Sequence, residues 1–225
     1  MKIWHISDTH TYHNLLEVPK DIDMVIFSGD CSNPRDPYLN EPEVKDFANW
    51  FASLNIKHKI LIAGNHDSSI EKKLVNKEYF EKLNIIYLED SGVEIEGIKI
   101  YGSPYTPSFN NWSFMKARHK LFSTWDAIPE DTDILVVHGP PKGILDISEN
   151  RDHSIEYCGC SALKKRVLRL NLKLCCFGHI HNTSDIINAG TMKLSILDTI
   201  FSNGSVVTDG RFGKLSSNGN IVTLL

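Results

Sequence analysis

Five short apolar runs in this chain each end at a residue able to bind a metal ion, and that pattern narrows the fold more than any other feature. Residues 2–7 (KIWHIS) lead into Asp8, 23–28 (DMVIFS) into Gly29-Asp30, and 58–63 (HKILIA) into Gly64-Asn65. Residues 134–138 (ILVVH) end at His138 itself, and 172–177 (LKLCCF) lead into Gly178-His179. Runs of this length with little polar interruption read as strands, and the helical patterns between them predict an α/β chain. In open α/β sheets ligands gather beyond the carboxyl ends of strands, so these ends can converge on one crevice.

The intervening segments fill in the rest. Asn40 with Glu43 resembles a capping box ahead of Val44, Phe47, Phe51 and Leu54 on one helical face. A second helix is expected over about 70–83, with Ile70, Leu74 and Phe80 on its buried side, then a strand at 85–87. Val93, Ile95, Ile98 and Ile100 suggest a hairpin turning at Glu96-Gly97. A loop is expected around 103–111 and a helix over 161–170. From 194 onward short strands alternate with turns, marked by Asn203-Gly204 and Asn218-Gly219. A length of 225 residues suits one large α/β domain, and no repeat or linker divides residues 1–225.

His10 and His181 lie two residues beyond Asp8 and His179. If extended backbone continues past the strand ends, both members of each pair point the same way. Asp8, His10, Asp30, Asn65, His138, His179 and His181 are too many N and O ligands for one tetrahedral ion. They suffice for two if one carboxylate bridges. Imidazole with carboxylate suits Mn, Fe, Zn, Co or Ni rather than Ca or Mg alone, and Mn²⁺ is the ion expected. A hydroxide held between ions ~3.5–4 Å apart would attack a phosphorus centre in line with the leaving group. His66 follows Asn65 directly, so it is placed to act as general acid for the leaving oxygen, with Asp67 to orient it.

In order along the chain, Asp8-x-His10, Gly29-Asp30, Gly64-Asn65-His66-Asp67, His138 and Gly178-His179-x-His181 resemble the motifs of calcineurin-like metallophosphoesterases. The resemblance implies Asp8, His10 and His181 on one metal and Asn65, His138 and His179 on the other. Asp30 would then bridge and His66 would be the proton donor. It also implies two packed β-sheets flanked by helices, a four-layer α-β-β-α fold. Tyr101-Gly-Ser-Pro104, Asn111-Trp112-Ser-Phe114, His138-Gly-Pro-Pro141, Asp146 and Gly159-Cys160 look like the branch of small metallophosphoesterase-domain-containing phosphodiesterases, from about residue 2 to 205. Some vertebrate members of that branch lack a histidine in the final motif and are weak enzymes. Both His179 and His181 are present here, which favours activity.

Other residues carry weaker readings. His5 has the opposite strand parity from Asp8 and is expected to be structural. His13 is either a solvated loop residue or a substrate contact. Arg118, Arg151 and Lys142 lie near the family-like loops and are either phosphate-holding or plain surface charge. Trp112 and Phe114 either line a nucleobase pocket or anchor a loop. Cys31 is expected to pack beneath the strand end. Cys158, Cys160 and the adjacent Cys175-Cys176 do not have the spacing of a structural zinc site, so buried free thiols are expected.

A net charge of −4 argues against a dedicated duplex-DNA binder and leaves small anionic substrates open. The leading expectation is a phosphodiesterase acting on small or cyclic nucleotides. Its alternatives are a nuclease or nucleic-acid end-processing enzyme, a phosphomonoesterase, and a catalytically silent scaffold of the same fold. No secretory signal or membrane-spanning run is visible, so a cytoplasmic protein with no membrane partner is expected.

Overall fold

A computed structural model describes residues 1–150, 152–208 and 213–224. The strands run β1 (Lys2–Ile6), β2 (Met24–Phe27), β3 (His58–Leu61), β4 (Ile86–Tyr87), β5 (Ser91–Ile95), β6 (Ile98–Ser103), β7 (Thr106–Pro107) and β8 (Met115–Lys116). They continue as β9 (Ile134–Val137), β10 (Ile147–Glu149), β11 (Ile155–Tyr157), β12 (Leu174–Phe177), β13 (Gly190–Lys193), β14 (Ile200–Asn203) and β15 (Asn220–Thr223). The helices are α1 (Pro37–Ser53), α2 (Ser68–Glu71), α3 (Lys77–Lys82), α4 (Leu121–Asp126) and α5 (Ser161–Val167).

One sheet has the order β15-β1-β2-β3-β4, and the other β13-β14-β12-β9-β6-β5. The central pairings of both are parallel, and antiparallel β15, β13 and β5 close their edges. Alternation along each strand divides the side chains among three cores. Ile3, Met24, Ile26 and Ile60 from the first sheet meet Ile100, Ile134, Val136, Leu174 and Cys176 from the second. The alternate residues Trp4, Val25, Phe27 and Leu61 turn outward onto Val44, Phe47 and Phe51 of α1. Leu135, Val137, Cys175 and Phe177 face Leu121 and Trp125 of α4 and Leu163 of α5. The result is the expected α-β-β-α layering. All described cysteines are free, and Cys175 and Cys176 point to opposite faces of β12.

Several boundaries differ from the sequence reading. Helix α1 starts before Asn40, because Asp36 caps it by accepting from Tyr38 N at 2.9 Å and Pro37 fits the first turn. Asn40 is therefore buried inside the helix. Its amide donates to Ser32 Oγ, Pro34 O and His66 O at 2.8, 2.9 and 2.8 Å. The helix expected over 70–83 is broken into α2 and α3, with Lys73 left-handed at φ 60° and Asn76 capping the second piece. The loop at 103–111 contains β7, which pairs with β8. Asn203-Gly204 is a crossing between the sheets, leading to a parallel bridge between Ser205 and Ser7. Among the described residues no helix is long and apolar enough to cross a membrane.

Candidate metal centre

The chain turns sharply as it leaves β1, β2 and β12. Asp8, His10, Asp30 and His179 all adopt left-handed backbone, at φ 53°, 42°, 64° and 70°. The extended continuation expected for the Asp8/His10 and His179/His181 pairs is thus absent. The members of each pair meet through tight turns. Left-handed backbone costs a non-glycine residue about 1–2 kcal/mol, so each turn needs support. Asp8 N donates to Gly29 O at 2.8 Å, His10 N to Asp30 O at 3.2 Å and His179 N to Asp8 Oδ2 at 2.9 Å. Two glycines make room for the carboxylates. A Cβ on Gly64 would lie 2.2 Å from Asp30 Oδ1, and one on Gly178 would lie 2.0 Å from Asp8 Oδ2.

The structure brings all seven ligand-type residues together. Asp8, His10 and His181 form one group with ligand atoms within 4.8 Å of each other, and Asp30, His138 and His179 form another. His10, Asp30 and His66 make a third, overlapping group, so Asp30 stands between the first two. Asn65 Oδ1 joins by its 2.9 Å approach to His138 Nε2. Backbone carbonyls orient the rings. His138 Nδ1 pairs with Ser28 O at 2.8 Å, which turns Nε2 toward Asp30 Oδ2 at 3.2 Å. His10 Nδ1 pairs with Ser32 O at 3.2 Å and Asn33 Oδ1 at 3.1 Å, which leaves its Nε2 aimed at Asp30.

The electrostatics suit divalent cations. Burial opposes charge on Asp8, but His181, His138 and His10 together outweigh it and hold the carboxyl well below its usual range. Asp30 is lowered likewise, with His138 and His66 overcoming burial. Burial pushes His10 down to about 4 and His179 to about 3, so both imidazoles keep a free lone pair at neutral pH. Burial drives His138 down, but Asp30, Asp8 and the Ser28 carbonyl together raise it to about 9, so a cation binding there must displace a proton. Carboxylates and imidazoles facing one another in a buried cluster are the donor set of a transition-metal site. The residues fit two ions.

His10, Asp30, Asn65, His179 and His181 of this cluster line the floor of a cavity of about 480 Å³ that is also lined by Phe109, Trp112, Arg118, Pro140 and Glu156. His66 lines it too, with its ring 4.1 Å from that of Trp112. Arg35 lies 3.7 Å from the Trp112 ring centroid. Trp112 is thus in contact with both His66 and Arg35 at the cavity wall. Arg118 reaches the cavity with two long hydrogen bonds, to Gly159 O at 3.4 Å and Cys158 O at 3.5 Å, which leaves donors for an anion.

Other expectations change. Asp67 does not orient the His66 ring. Its buried carboxylate instead accepts from Asp30 N, Cys31 N, Ser32 Oγ and Gly64 N at 2.9, 3.0, 2.9 and 2.8 Å, clamping two strand-end loops together. His13 is neither solvated nor at the cavity. It is buried against Phe47 and Trp50 and pairs with Asp46 at 3.1 Å. His5 is structural, joining Ser28 and Ser202 across the sheets, and Cys31 is buried beneath the strand end. Phe114 is buried and anchors its loop, while Lys142 lines a separate cavity. Arg151 lies outside the described residues. Sequence reasoning missed Arg35, Asn33 and Phe109. The first two sit just past Gly29-Asp30 in a loop with no periodic signal, where only proximity to that motif could have flagged them.

Comparisons with known proteins agree with this geometry. The sequence model described as calcineurin-like phosphoesterase matches residues 1–183. Human metallophosphoesterase domain-containing protein 1 is 35% identical over 228 residues, covering 90% of this chain and 65% of that protein. The chain thus spans just under two thirds of that relative's length. A UPF0046 protein from Caenorhabditis elegans is 36% identical over 202 residues, covering 82% of this chain and 70% of its own. Among solved structures, TT1561 of Thermus thermophilus superposes with a TM-score of 0.56 at 11% identity, covering 90% of this chain and 88% of that one. Phosphopantetheinyl hydrolase from Mycobacterium tuberculosis gives 0.53 at 15% identity, covering 91% and 89%. At such identities the structures support the fold alone.

Proposed function

The chain belongs to the calcineurin-like phosphoesterase family, and from that premise we propose that it is a metal-dependent phosphodiesterase acting on small or cyclic nucleotides. The observation that carries the reading is the position of the His/Asp cluster at the floor of a cavity of about 480 Å³, large enough for a phosphoryl group with substituents on both sides. Asp8, His10 and His181 would hold one divalent ion and Asn65, His138 and His179 the other, with Asp30 shared and Mn²⁺ the ion expected. When bound, the ions supply a water of lowered pKa and offset charge on the non-bridging phosphate oxygens.

The remaining work falls to the chain itself. His66 lies against Trp112 at the cavity wall, its ring tilted by 32°, and gives its proton to the leaving oxygen. Arg118 steers the anion and fixes one side of it. Phe109, 43% exposed at the cavity, is the aromatic surface open to a base or another flat leaving group. The acidic net charge of −4 and the single arginine among the described residues lining the cleft favour a singly charged diester over a long nucleic acid.

Hydrolysis of bis-p-nitrophenyl phosphate against p-nitrophenyl phosphate, in Mn²⁺ and after chelation, tests the proposal. Metal-dependent preference for the diester supports it. Preference for the monoester replaces it with a phosphatase. Inactivity on both with two metals bound supports a scaffold.

A further inference from the structure

A second cavity, of about 510 Å³, lies on the far side of the β10–β11 ribbon from the metal cluster. One face of α5 and the residue following it supply Ser161, Lys164, Lys165 and Leu168, at the i, i+3, i+4, i+7 spacing of a single helical stripe. Lys142 and Gly143 close it from the loop after β9, and Tyr157 from β11. Gly143 is left-handed at φ 79°, and a Cβ there would sit 3.2 Å from Lys164 Nζ, so the missing side chain lets that ammonium settle over the loop.

The lysines of this chain divide between those that pair with carboxylates and those that do not. Lys45, Lys57, Lys73, Lys77, Lys99 and Lys173 all pair with carboxylates. Lys142, Lys164 and Lys165 pair with none among the described residues, and no acidic side chain among them lines the cavity. Three lysines thus line one cavity without a carboxylate partner, in a protein whose net charge is −4, and Lys165 Nζ also lies 5.6 Å from the Phe122 ring centroid. Such a cluster repels itself until an anion enters. The hydroxyls of Ser161 and Tyr157 add donors between the cations. Lysine binds phosphate as a point charge, and a phosphoryl dianion has oxygens enough to meet all three lysines, whereas a monoanion would leave most of the charge uncompensated.

We propose that this cavity is a second anion site, taking a small soluble molecule that carries at least one phosphoryl group. The two cavities share a wall. Tyr157 faces the lysines, while its neighbours Glu156 and Cys158 line the metal-floored cleft. Ordering of Tyr157 by a bound anion therefore reaches the substrate cleft through one residue of β11.

The test uses the full chain loaded with diamagnetic Zn²⁺ and titrated with inorganic phosphate while backbone amides are followed by NMR. Saturable shifts at Gly143, Tyr157 and Ser161 are expected. A Lys142→Gln/Lys164→Gln/Lys165→Gln variant should lose them and keep any shifts around the metal cluster. Shifts that do not saturate, that chloride reproduces at equal ionic strength, or that persist in the triple variant would overturn the site. For the coupling, phosphate inhibition of diester hydrolysis is compared in the two proteins. Competition at the metal cluster is common to both, so a different inhibition curve supports communication through β11 and identical curves refute it. The NMR readout does not depend on turnover, so failure of the phosphodiesterase reading is distinguishable from failure of the site.

Discussion

Replacing Asp67 by Asn separates two roles that the sequence alone leaves confounded. Oδ2 of Asp67 accepts from Asp30 N and Gly64 N, and Oδ1 from Cys31 N, Cys31 Sγ and Ser32 Oγ. An amide must turn its NH₂ toward one of these groups. Facing Oδ2's partners, it would orphan two backbone N–H groups. Facing Oδ1's, it would orphan only Cys31 N, since the hydroxyl and thiol can rotate to accept. The cheaper choice costs about 1–3 kcal/mol for one buried unpaired donor, and roughly 1 kcal/mol more for the lost charge in the remaining bonds. Burial and the negative charge of Asp30 both raise the Asp67 pKa, so a neutral side chain recovers part of this. A net loss of about 2–3 kcal/mol should lower the urea midpoint of the chelated protein by roughly 1 M, given typical denaturant slopes. Urea titration of both proteins in chelator at pH 7 measures it. An unchanged midpoint with a loss confined to turnover would refute the clamp and return Asp67 to the role of orienting His66.

Three further outcomes follow from the same geometry. His66→Ala should keep both metals, measured by elemental analysis, while turnover falls about 10²-fold or more; full activity would remove His66 as proton donor. Gly178→Ala would put a methyl group 2.0 Å from Asp8 Oδ2 and 2.1 Å from Ser7 Oγ, so bound metal should fall by about one ion per chain from loss of the Asp8, His10 and His181 site. His5, lowered to about 3 by burial, stays neutral in the folded state while the unfolded chain protonates it below its ordinary value of 6.5. Stability must therefore fall as pH drops through that window, by up to about 1.4 kcal/mol per unit from this residue, and His5→Gln should show a shallower slope between pH 6 and 4 in denaturation series.

The parts of the fold legible in the sequence were those governed by period. Val25/Phe27 and Met24/Ile26 alternate between two cores because strand side chains alternate, and β2 could be read from that alone. The ligand residues were legible because they follow such runs. What lay beyond reach was set by turns and long-range contacts. The left-handed backbone at Asp8, His10 and His179 has no glycine to announce it, so extended continuation was the natural expectation. Asn40 reads as a helix cap, yet it is a buried link between Ser32, Pro34 and His66, because Asp36-Pro37 starts the helix earlier. His13 reads as a loop histidine until Phe47 and Trp50 of α1 cover it.

The loop of residues 64–67 concentrates more of the site than its length suggests. Asn65 faces His138, His66 lines the cavity, and Asp67 fixes the backbone of Asp30. His66 N also donates to Asp30 Oδ1 at 2.7 Å, which commits that oxygen to the protein. Oδ2 is then the oxygen left to face His138 at 3.2 Å and His10 at 4.0 Å, so the group shared between the two ligand sets is one atom wide. A shift of this loop by a fraction of an ångström would move Asn65, His66 and Asp30 Oδ2 together, the proposed metal ligand, proton donor and bridging oxygen. Substitutions within it should for that reason be strongly non-additive, whereas changes on α5 or at His13, outside this hydrogen-bonded set, should add independently.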